Sequence, residues 1–170
     1  IISEVSGNNL KKESMIKLPI NLFTNEVADW KHTLSLSVEK NKELEKISIN
    51  NYGDYGEYIR PILLIKAESK KQGQTKDHVE DIKNYLIQKL QINEEEIKIK
   101  LSGLNELEDQ DLMSKYSKVR YIITKDALKE GWDCPFAYTL SILSKSKNEN
   151  SLTQLIGRVL RQPYAKLSKY

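Results

Sequence analysis

The amino-acid sequence predicts an α/β fold, a three-layer arrangement in which helices cover both faces of a mostly parallel sheet. Two observations support this prediction. From about residue 58 onward, short apolar runs of strand length alternate with stretches of helical periodicity. One run, residues 61–65, is apolar throughout, as in a strand that is buried on both faces of a parallel sheet. Strands that alternate with helices are joined by right-handed crossovers, which build parallel sheets.

The first third of the chain predicts a connector followed by a helix. Residues 1–25 carry short apolar patches around Pro19, which indicate extended chain. Over residues 25–47, apolar side chains recur at roughly helical spacing. Residues 50–56 are rich in asparagine and glycine and predict a turn. We therefore expect residues 1–57 to lead into one domain that spans residues 58–170.

The rest of the chain predicts four strands with helices between them. After the strand at residues 61–65, Thr75 or Asp77 can cap a helix whose apolar stripe ends at Leu90. Residues 97–101 alternate with a period of two, which predicts a half-covered strand. A short helix is expected over residues 110–116. Further strands are expected over residues 119–124 and 138–143, and a helix follows the last of them.

The polar face of this last helix is the most informative part of the sequence. It carries Gln154, Gly157, Arg158 and Arg161, opposite an apolar stripe that faces the core. The two arginines are neighbours on the helix surface, with no acidic residue within a turn to pair them. The glycine between them costs the helix about 1 kcal/mol relative to alanine. This face suits an anionic ligand such as phosphate. The alternative is that the arginines are simply solvated.

Ligands of open α/β sheets collect at the edge where the strands finish. The predicted strands bring the loops 68–71, 102–103, 124–133 and 145–154 to this edge, and we expect the arginine pair to face it. Charge is also unevenly distributed. Residues 145–170 contain six basic residues and one acidic residue, whereas residues 93–111 contain seven acidic residues. Such asymmetry suits contact with a polyanion.

Composition excludes several classes of protein. No apolar run approaches the roughly 20 residues of a membrane helix, and no signal peptide is visible, so we expect a cytoplasmic protein without a membrane partner. The lone Cys134 cannot form an internal disulfide. With His32 and His78 it offers no metal-ligand spacing, so no metal site is expected. The N-terminus lacks a methionine, which suggests a piece of a longer protein.

Two motifs resemble those of a known family. Residues 123–135, ITKDALKEGWDCP, are similar to motif V of superfamily-2 helicases, and residues 154–161, QLIGRVLR, are similar to their motif VI. The segment EGWD followed by proline, together with residues 58–64, YIRPILL, most resembles the helicase part of type III restriction-enzyme Res subunits. The resemblance covers the chain from about Ser14 onward, and it rests on the order and spacing of both motifs.

The resemblance implies that residues 58–170 form the second RecA-like lobe, of the P-loop NTPase type, of an ATP-dependent DNA helicase or translocase. In that family ATP and Mg²⁺ lie between two lobes. The N-terminal lobe of the same polypeptide holds the phosphates and the Mg²⁺, and the second lobe supplies arginine fingers. Arg158 and Arg161 would be these fingers. A methyltransferase (Mod) subunit is a further implied partner.

The remaining site residues follow from the same resemblance. Gln154 and Gly157 would face the nucleotide, and Asp133, beside Gly131, would accept a hydrogen bond from a ribose hydroxyl. The DNA backbone would be contacted by Thr124, Lys125 and Ser102. Thr124 also fits an ordinary strand end, and Asp133 also fits a residue that shapes a turn.

The sequence departs from a complete motor in two ways. It contains no Gly-x-x-x-x-Gly-Lys-Ser/Thr loop and no Asp-Glu pair of the motif II kind, so the isolated chain is expected to be inactive. It also stops before the closing strand of a full lobe, and the nuclease of a Res subunit would lie outside it. Two alternatives stay open: an RNA helicase or remodeller lobe, and a non-catalytic α/β module that binds nucleic acid.

Overall fold

The computed structural model describes residues 16–17, 21, 29–55, 58–68, 78–125, 134–143, 153, 155–157 and 159–163. Its regular elements follow one another in the order α1 (Trp30–Tyr55), β1 (Ile62–Lys66), α2 (His78–Gln88), a 3₁₀ turn (Glu94–Glu96), β2 (Ile97–Leu101), β3 (Leu104–Asn105), β4 (Tyr121–Thr124) and β5 (Ala137–Ile142). Among the described residues, no helix is long and apolar enough to cross a bilayer.

The strands form one mixed sheet in the order β3-β2-β4-β1-β5. β1 pairs in parallel with both β4 and β5, and β2 pairs in parallel with β4. Only β3 is antiparallel, because it forms a hairpin with β2. The predicted α/β fold with a mostly parallel sheet is confirmed. The hairpin strand β3 was not predicted, since two residues are too few to leave a periodic pattern.

β1 is the central element, and all five of its residues are buried. Because successive side chains of a strand point to opposite faces, Leu63 and Ile65 belong to one hydrophobic cluster and Ile62 and Leu64 to the other. The strand therefore contributes to the packing on both sides of the sheet. This explains the continuous apolar run in its sequence.

The two faces of the sheet are covered differently. Helices α1 and α2 pack on the same face, through Leu34 and Val38 of the first helix and Ile82 and Leu86 of the second. The opposite face is covered by Leu155, in the helical residues 155–157, and by parts of the turn-rich segment 106–119. Helical residues thus lie on both faces, but both long helices share one of them.

Helix α1 differs in extent from its prediction. It begins at Trp30, after Asp29, whose Oδ1 accepts a hydrogen bond from the Lys31 amide at 2.9 Å, as an N-cap residue does. It continues to Tyr55, so the predicted turn at residues 50–55 is wrong. Contacts with the segment before β1 stabilise this end of the helix, because the Ser48 hydroxyl donates to the Ile59 carbonyl oxygen and the Tyr52 ring packs edge-on against that of Tyr58. Tertiary contacts here override the weak helix propensity of asparagine and glycine.

The predicted helix over residues 110–116 is also wrong. The segment forms consecutive turns, in which Asp111 Oδ1 accepts from the Met113 amide at 2.9 Å and Ser114 Oγ accepts from the Tyr116 amide at 3.2 Å. Aspartate and serine side chains compete with a helix by binding nearby amides in this way. In addition, Arg60 binds the Leu112 carbonyl group, which such a helix would need for its own hydrogen bonds.

Arg60 lies just before β1 and is 1% exposed. Its Nε donates to the Val119 carbonyl oxygen at 2.9 Å, its Nη1 to the Ser114 carbonyl oxygen at 2.7 Å, and its Nη2 to that of Leu112. The guanidinium also lies 5.8 Å from the centre of the Phe136 ring. A buried cation of this kind is tolerated only when its donors are satisfied. Arg60 therefore fastens the turn-rich segment to the start of the central strand.

Replacing Arg60 by methionine should lower the free energy of unfolding by about 3 kcal/mol or more, because buried carbonyl groups are left without donors. Urea denaturation of the variant and the wild type measures this difference. The matched control is Lys118→Met, which breaks an exposed ion pair with Glu95 and should cost less than about 1 kcal/mol. Equal destabilisation of the two variants would contradict the role of Arg60.

Candidate functional site

The parallel strands finish together at one edge of the sheet. Lys66, the last residue of β1, is in register with Thr124 of β4 and Ile142 of β5, and Lys100 of β2 is in register with Thr124 from the other side. We call this the carboxyl edge. It brings together Thr124, Lys125 and Ser102, the three residues that the family resemblance assigns to nucleic acid. Their binding role stays a prediction.

These three residues differ in accessibility. Ser102 is exposed in the turn between β2 and β3, and Lys125 is half-buried directly after β4. The Thr124 side chain is only 1% exposed, and its carbonyl oxygen accepts a hydrogen bond from the Ala67 amide at 2.8 Å. Ser102 and Lys125 are therefore the accessible members of the set, and Thr124 sits beneath the surface of the edge.

Two further basic residues of the carboxyl edge were not predicted. Lys66 and Lys100 flank Thr124 in register, so all three side chains lie on the same face of the sheet. The two lysines are 7% and 9% exposed, which is rare for this residue type. No ion pair joins Lys100 to a carboxylate in the part of the chain that the structure describes. This basic row, Lys66, Thr124 and Lys100, thus places two lysines on one face of three neighbouring strands.

The sequence does contain a signal for this row. The β1 segment ILLIK ends its apolar run on a lysine, and in the β2 segment IKIKL the period of two puts both lysines on one face. What the sequence could not show is which strands are neighbours, and that β4 lies between β1 and β2. The sheet order alone turns two separate lysines into a pair around Thr124.

Acidic residues gather at the opposite edge, where the strands begin. Glu94 and Glu95 precede β2 and pair with Lys83 and Lys118 at 2.7 and 2.9 Å. The side-chain hydrogen bond from Lys83 lowers the pKa of the Glu94 carboxyl below its ordinary value. At the first residue of β4, burial above all raises the pKa of the Tyr121 phenol, and nearby Glu96 adds to the shift. The carboxylates of the starting edge are thus paired with cations, whereas Lys66 and Lys100 lie at the carboxyl edge.

Of the residues predicted to bind the nucleotide, the structure describes two. Gly157 is helical and exposed, and a Cβ atom built on it meets nothing within 4 Å. Packing against the described neighbours therefore does not require a glycine at this position. Leu155, two residues earlier, is fully buried and holds this helical stretch on the sheet. Gln154, Arg158, Gly131 and Asp133 lie outside the described residues.

Arg161, the second of these residues, is exposed and lies away from the carboxyl edge. The amino group of Lys17 donates both to the Val159 carbonyl oxygen at 2.7 Å and to the Ala137 carbonyl oxygen at 2.8 Å. Ala137 is the first residue of β5, so the end of the helical stretch lies where that strand begins. The strand runs about 16 Å further to the carboxyl edge. The backbone of Arg161 therefore lies nearer the start of β5 than its end, and the direction of the arginine side chains stays a prediction.

Other reactive side chains of the described chain are used structurally. Cys134 is 2% exposed within the second hydrophobic cluster. His78 Nδ1 accepts a hydrogen bond from the Glu68 amide at 3.0 Å. Within the described ranges, no group of three or more His, Cys, Asp or Glu side chains could hold a metal ion.

Comparison with known proteins yields no family-model match and no similar curated protein. The assignment of function therefore depends on the residues and their arrangement. The carboxyl edge, with its accessible serine and lysine above a basic row, is the arrangement best suited to bind a ligand, and the ligand it suits is an anion.

Replacing Gly157 by alanine should raise the free energy of unfolding by about 0.5–1 kcal/mol, because alanine favours the helix and its methyl group meets no neighbour. Thermal and urea unfolding of the chain measures this gain. Gly103→Ala is the matched control, since its site is equally open but lies in a hairpin turn, where no helix is stabilised. A lower stability of Gly157→Ala would contradict the open site.

Proposed function

We propose that this chain is the second RecA-like lobe of an ATP-dependent nucleic-acid motor of the superfamily-2 type, and that its carboxyl edge holds the phosphate backbone. Because the chain resembles Res subunits, the motor we propose is the DNA helicase or translocase of a type III restriction system. The fold is compatible with this role, since the α/β sheet is mostly parallel. The single observation that carries the proposal is the basic row around Thr124.

The carboxyl edge offers the groups that a phosphate backbone needs. Lys125 and Ser102 provide an accessible cation and a hydroxyl, and Lys66 and Lys100 raise the local positive potential behind them. Contacts of this kind fix the position of a strand and read no bases. A motor that moves along many sequences requires this property, because its grip must not depend on sequence. We therefore expect binding that is insensitive to sequence and sensitive to salt.

The nucleotide would bind at a different surface of the lobe. Arg158 and Arg161 would reach the γ-phosphate of ATP, whose Mg²⁺ the first lobe holds, with Gln154 and Gly157 beside them and Asp133 and Gly131 at the ribose. The open position of Gly157 supports this, because it leaves room for a ligand or a second lobe to approach the helix closely. Closure of the two lobes would then bring the arginines to the phosphates. The same closure would shift the grip of the carboxyl edge along the backbone.

One observation favours a second candidate function. The backbone of Arg161 lies near the start of β5, about a strand length from the basic row. The carboxyl edge can therefore bind a ligand without any contribution from the arginines. The chain would then be a non-catalytic α/β module that binds nucleic acid through its carboxyl edge alone. Both candidates use the same edge, and only ATP turnover separates them.

Replacing Lys100 or Lys125 by methionine should weaken binding of a DNA duplex and reduce the slope of log K against log[salt] by about one for each phosphate that the variant no longer neutralises. Fluorescence anisotropy at several salt concentrations measures both quantities. The affinity should fall equally for unrelated DNA sequences. Lys100→Arg keeps the charge and should keep the affinity, so it separates the loss of the charge from a disturbance of the fold.

Lys46→Met, on the exposed side of α1, is the matched control for these lysine variants. It removes the same charge from a surface that is remote from the carboxyl edge, and it should leave the salt slope unchanged. The proposal for the edge is refuted if all three methionine variants lower the affinity equally.

Replacing Arg158 or Arg161 by alanine in the intact protein should reduce nucleic-acid-stimulated ATP turnover by roughly 10³–10⁵-fold, the range measured for arginine fingers elsewhere. Lysine at either position should restore little of it, because it lacks the planar fork. Turnover that is unchanged in both alanine variants would refute the assignment of the arginines as fingers, whereas an intact protein without any turnover would favour the non-catalytic module. Stimulation by RNA in preference to DNA would identify the RNA helicase or remodeller.

A further inference from the structure

Lys17 joins three parts of the chain that are far apart in sequence. Its amino group donates to the carbonyl oxygen of Ala137, 120 residues away, and to that of Val159, 142 residues away. The same group lies 4.2 Å from the centre of the Tyr138 ring. The first part, residues 16–17, lies in the predicted connector. The second is the start of β5, and the third is the segment that ends at Arg161.

The backbone repeats this connection. The Lys17 amide donates to the Leu160 carbonyl oxygen at 2.7 Å, and Ile16 forms an antiparallel bridge with Arg161. The residue next to Lys17 is thus paired directly with the proposed finger. Hydrogen bonds to the Val159 and Leu160 carbonyl groups thus fasten the chain directly before Arg161 to residues 16–17.

The chemistry of this contact is specific for a cation. The helical stretch ends at residue 159, and the last carbonyl groups of a helix have no partner within it and carry partial negative charge. An ammonium group satisfies one of them and interacts favourably with that charge. The aromatic face of Tyr138 adds a cation–π contact. An apolar side chain of the same length could make none of these contacts.

From this geometry we infer that Lys17 is a positioning residue that holds the Arg161 segment in place and couples it to the connector. The role of Arg161 in ATP turnover rests on the proposed function, whereas its fastening by Lys17 does not. Lys17 touches neither nucleotide nor nucleic acid in this scheme and acts through Arg161. A movement of the connector is transmitted to the finger through this residue.

The test uses the intact protein with Lys17→Met, Lys17→Arg and the surface control Lys46→Met, together with Arg161→Ala alone and combined with Lys17→Met. Two quantities are measured. The first is the kcat and KM of nucleic-acid-stimulated ATP turnover, and the second is amide hydrogen exchange of peptides that cover residues 155–161. Thermal unfolding of each variant reports whether it is folded.

Lys17→Met should lower kcat by about 10- to 100-fold with a smaller change in KM, because a displaced finger acts mainly in the transition state. Lys17→Arg should restore most of the rate, and Lys46→Met should behave as the wild type. In the Arg161→Ala background, Lys17→Met should cause no further decrease in kcat, since the two residues act as one unit. Exchange in residues 155–161 should rise only in Lys17→Met and the combined variant.

Two results would overturn the inference. One is an unchanged kcat in a folded Lys17→Met protein whose wild type hydrolyses ATP, and the other is additive decreases in the combined variant. A wild-type protein that does not hydrolyse ATP would instead refute the proposed function. The predicted effect of Lys17 on kcat would then fall with it. In that case the exchange data still decide whether Lys17 holds the segment, because protection of residues 155–161 does not require ATP.

Discussion

The burial of β1 on both faces is the constraint on which the rest of this structure depends. A strand that contacts two hydrophobic clusters must lie inside the sheet, with a neighbour on each side. Because both neighbours, β4 and β5, run parallel to it, the three strands finish at one level, and β2 joins them through β4. The side chains at and just beyond their ends therefore meet at one edge. The position of the candidate site follows from this pairing.

The same pairing separates the charges of the molecule. Lysines end β1 and lie near the end of β2, whereas glutamates precede β2, so a parallel arrangement puts the two kinds of residue at opposite edges. At the starting edge the carboxylates of Glu94, Glu95 and Glu45 are each paired with a cation. The lysine row has no such described network around Lys100. Positive potential at the carboxyl edge would attract a polyanion there, whereas the ion pairs of the starting edge neutralise one another.

The sequence predicted the sheet better than the segments around it. Strand predictions at residues 61–65, 97–101, 119–124 and 138–143 agree with the observed strands to within two residues, because burial imposes a pattern on each strand.

The elements that were predicted wrongly are those that distant residues control. Arg60 draws the carbonyl group of Leu112 away from a helix, and the contact of Tyr52 with Tyr58 supports the extended end of α1. The contacts of Lys17 span more than a hundred residues and leave no periodic signal. For the candidate site, the types of residue could be predicted from the sequence. The distance between the basic row and the segment that ends at Arg161 could not.

Lysine footprinting of the intact protein tests the central claim most directly, because it maps the surface that nucleic acid covers and requires no amino-acid substitution. The protein is acetylated with and without a DNA duplex, and the modification of each lysine is measured by mass spectrometry. If the carboxyl edge grips the phosphate backbone, DNA will protect Lys125, while Lys42 and Lys46 on α1 will react equally in both samples. Protection of the α1 lysines with no change at the edge would contradict the account.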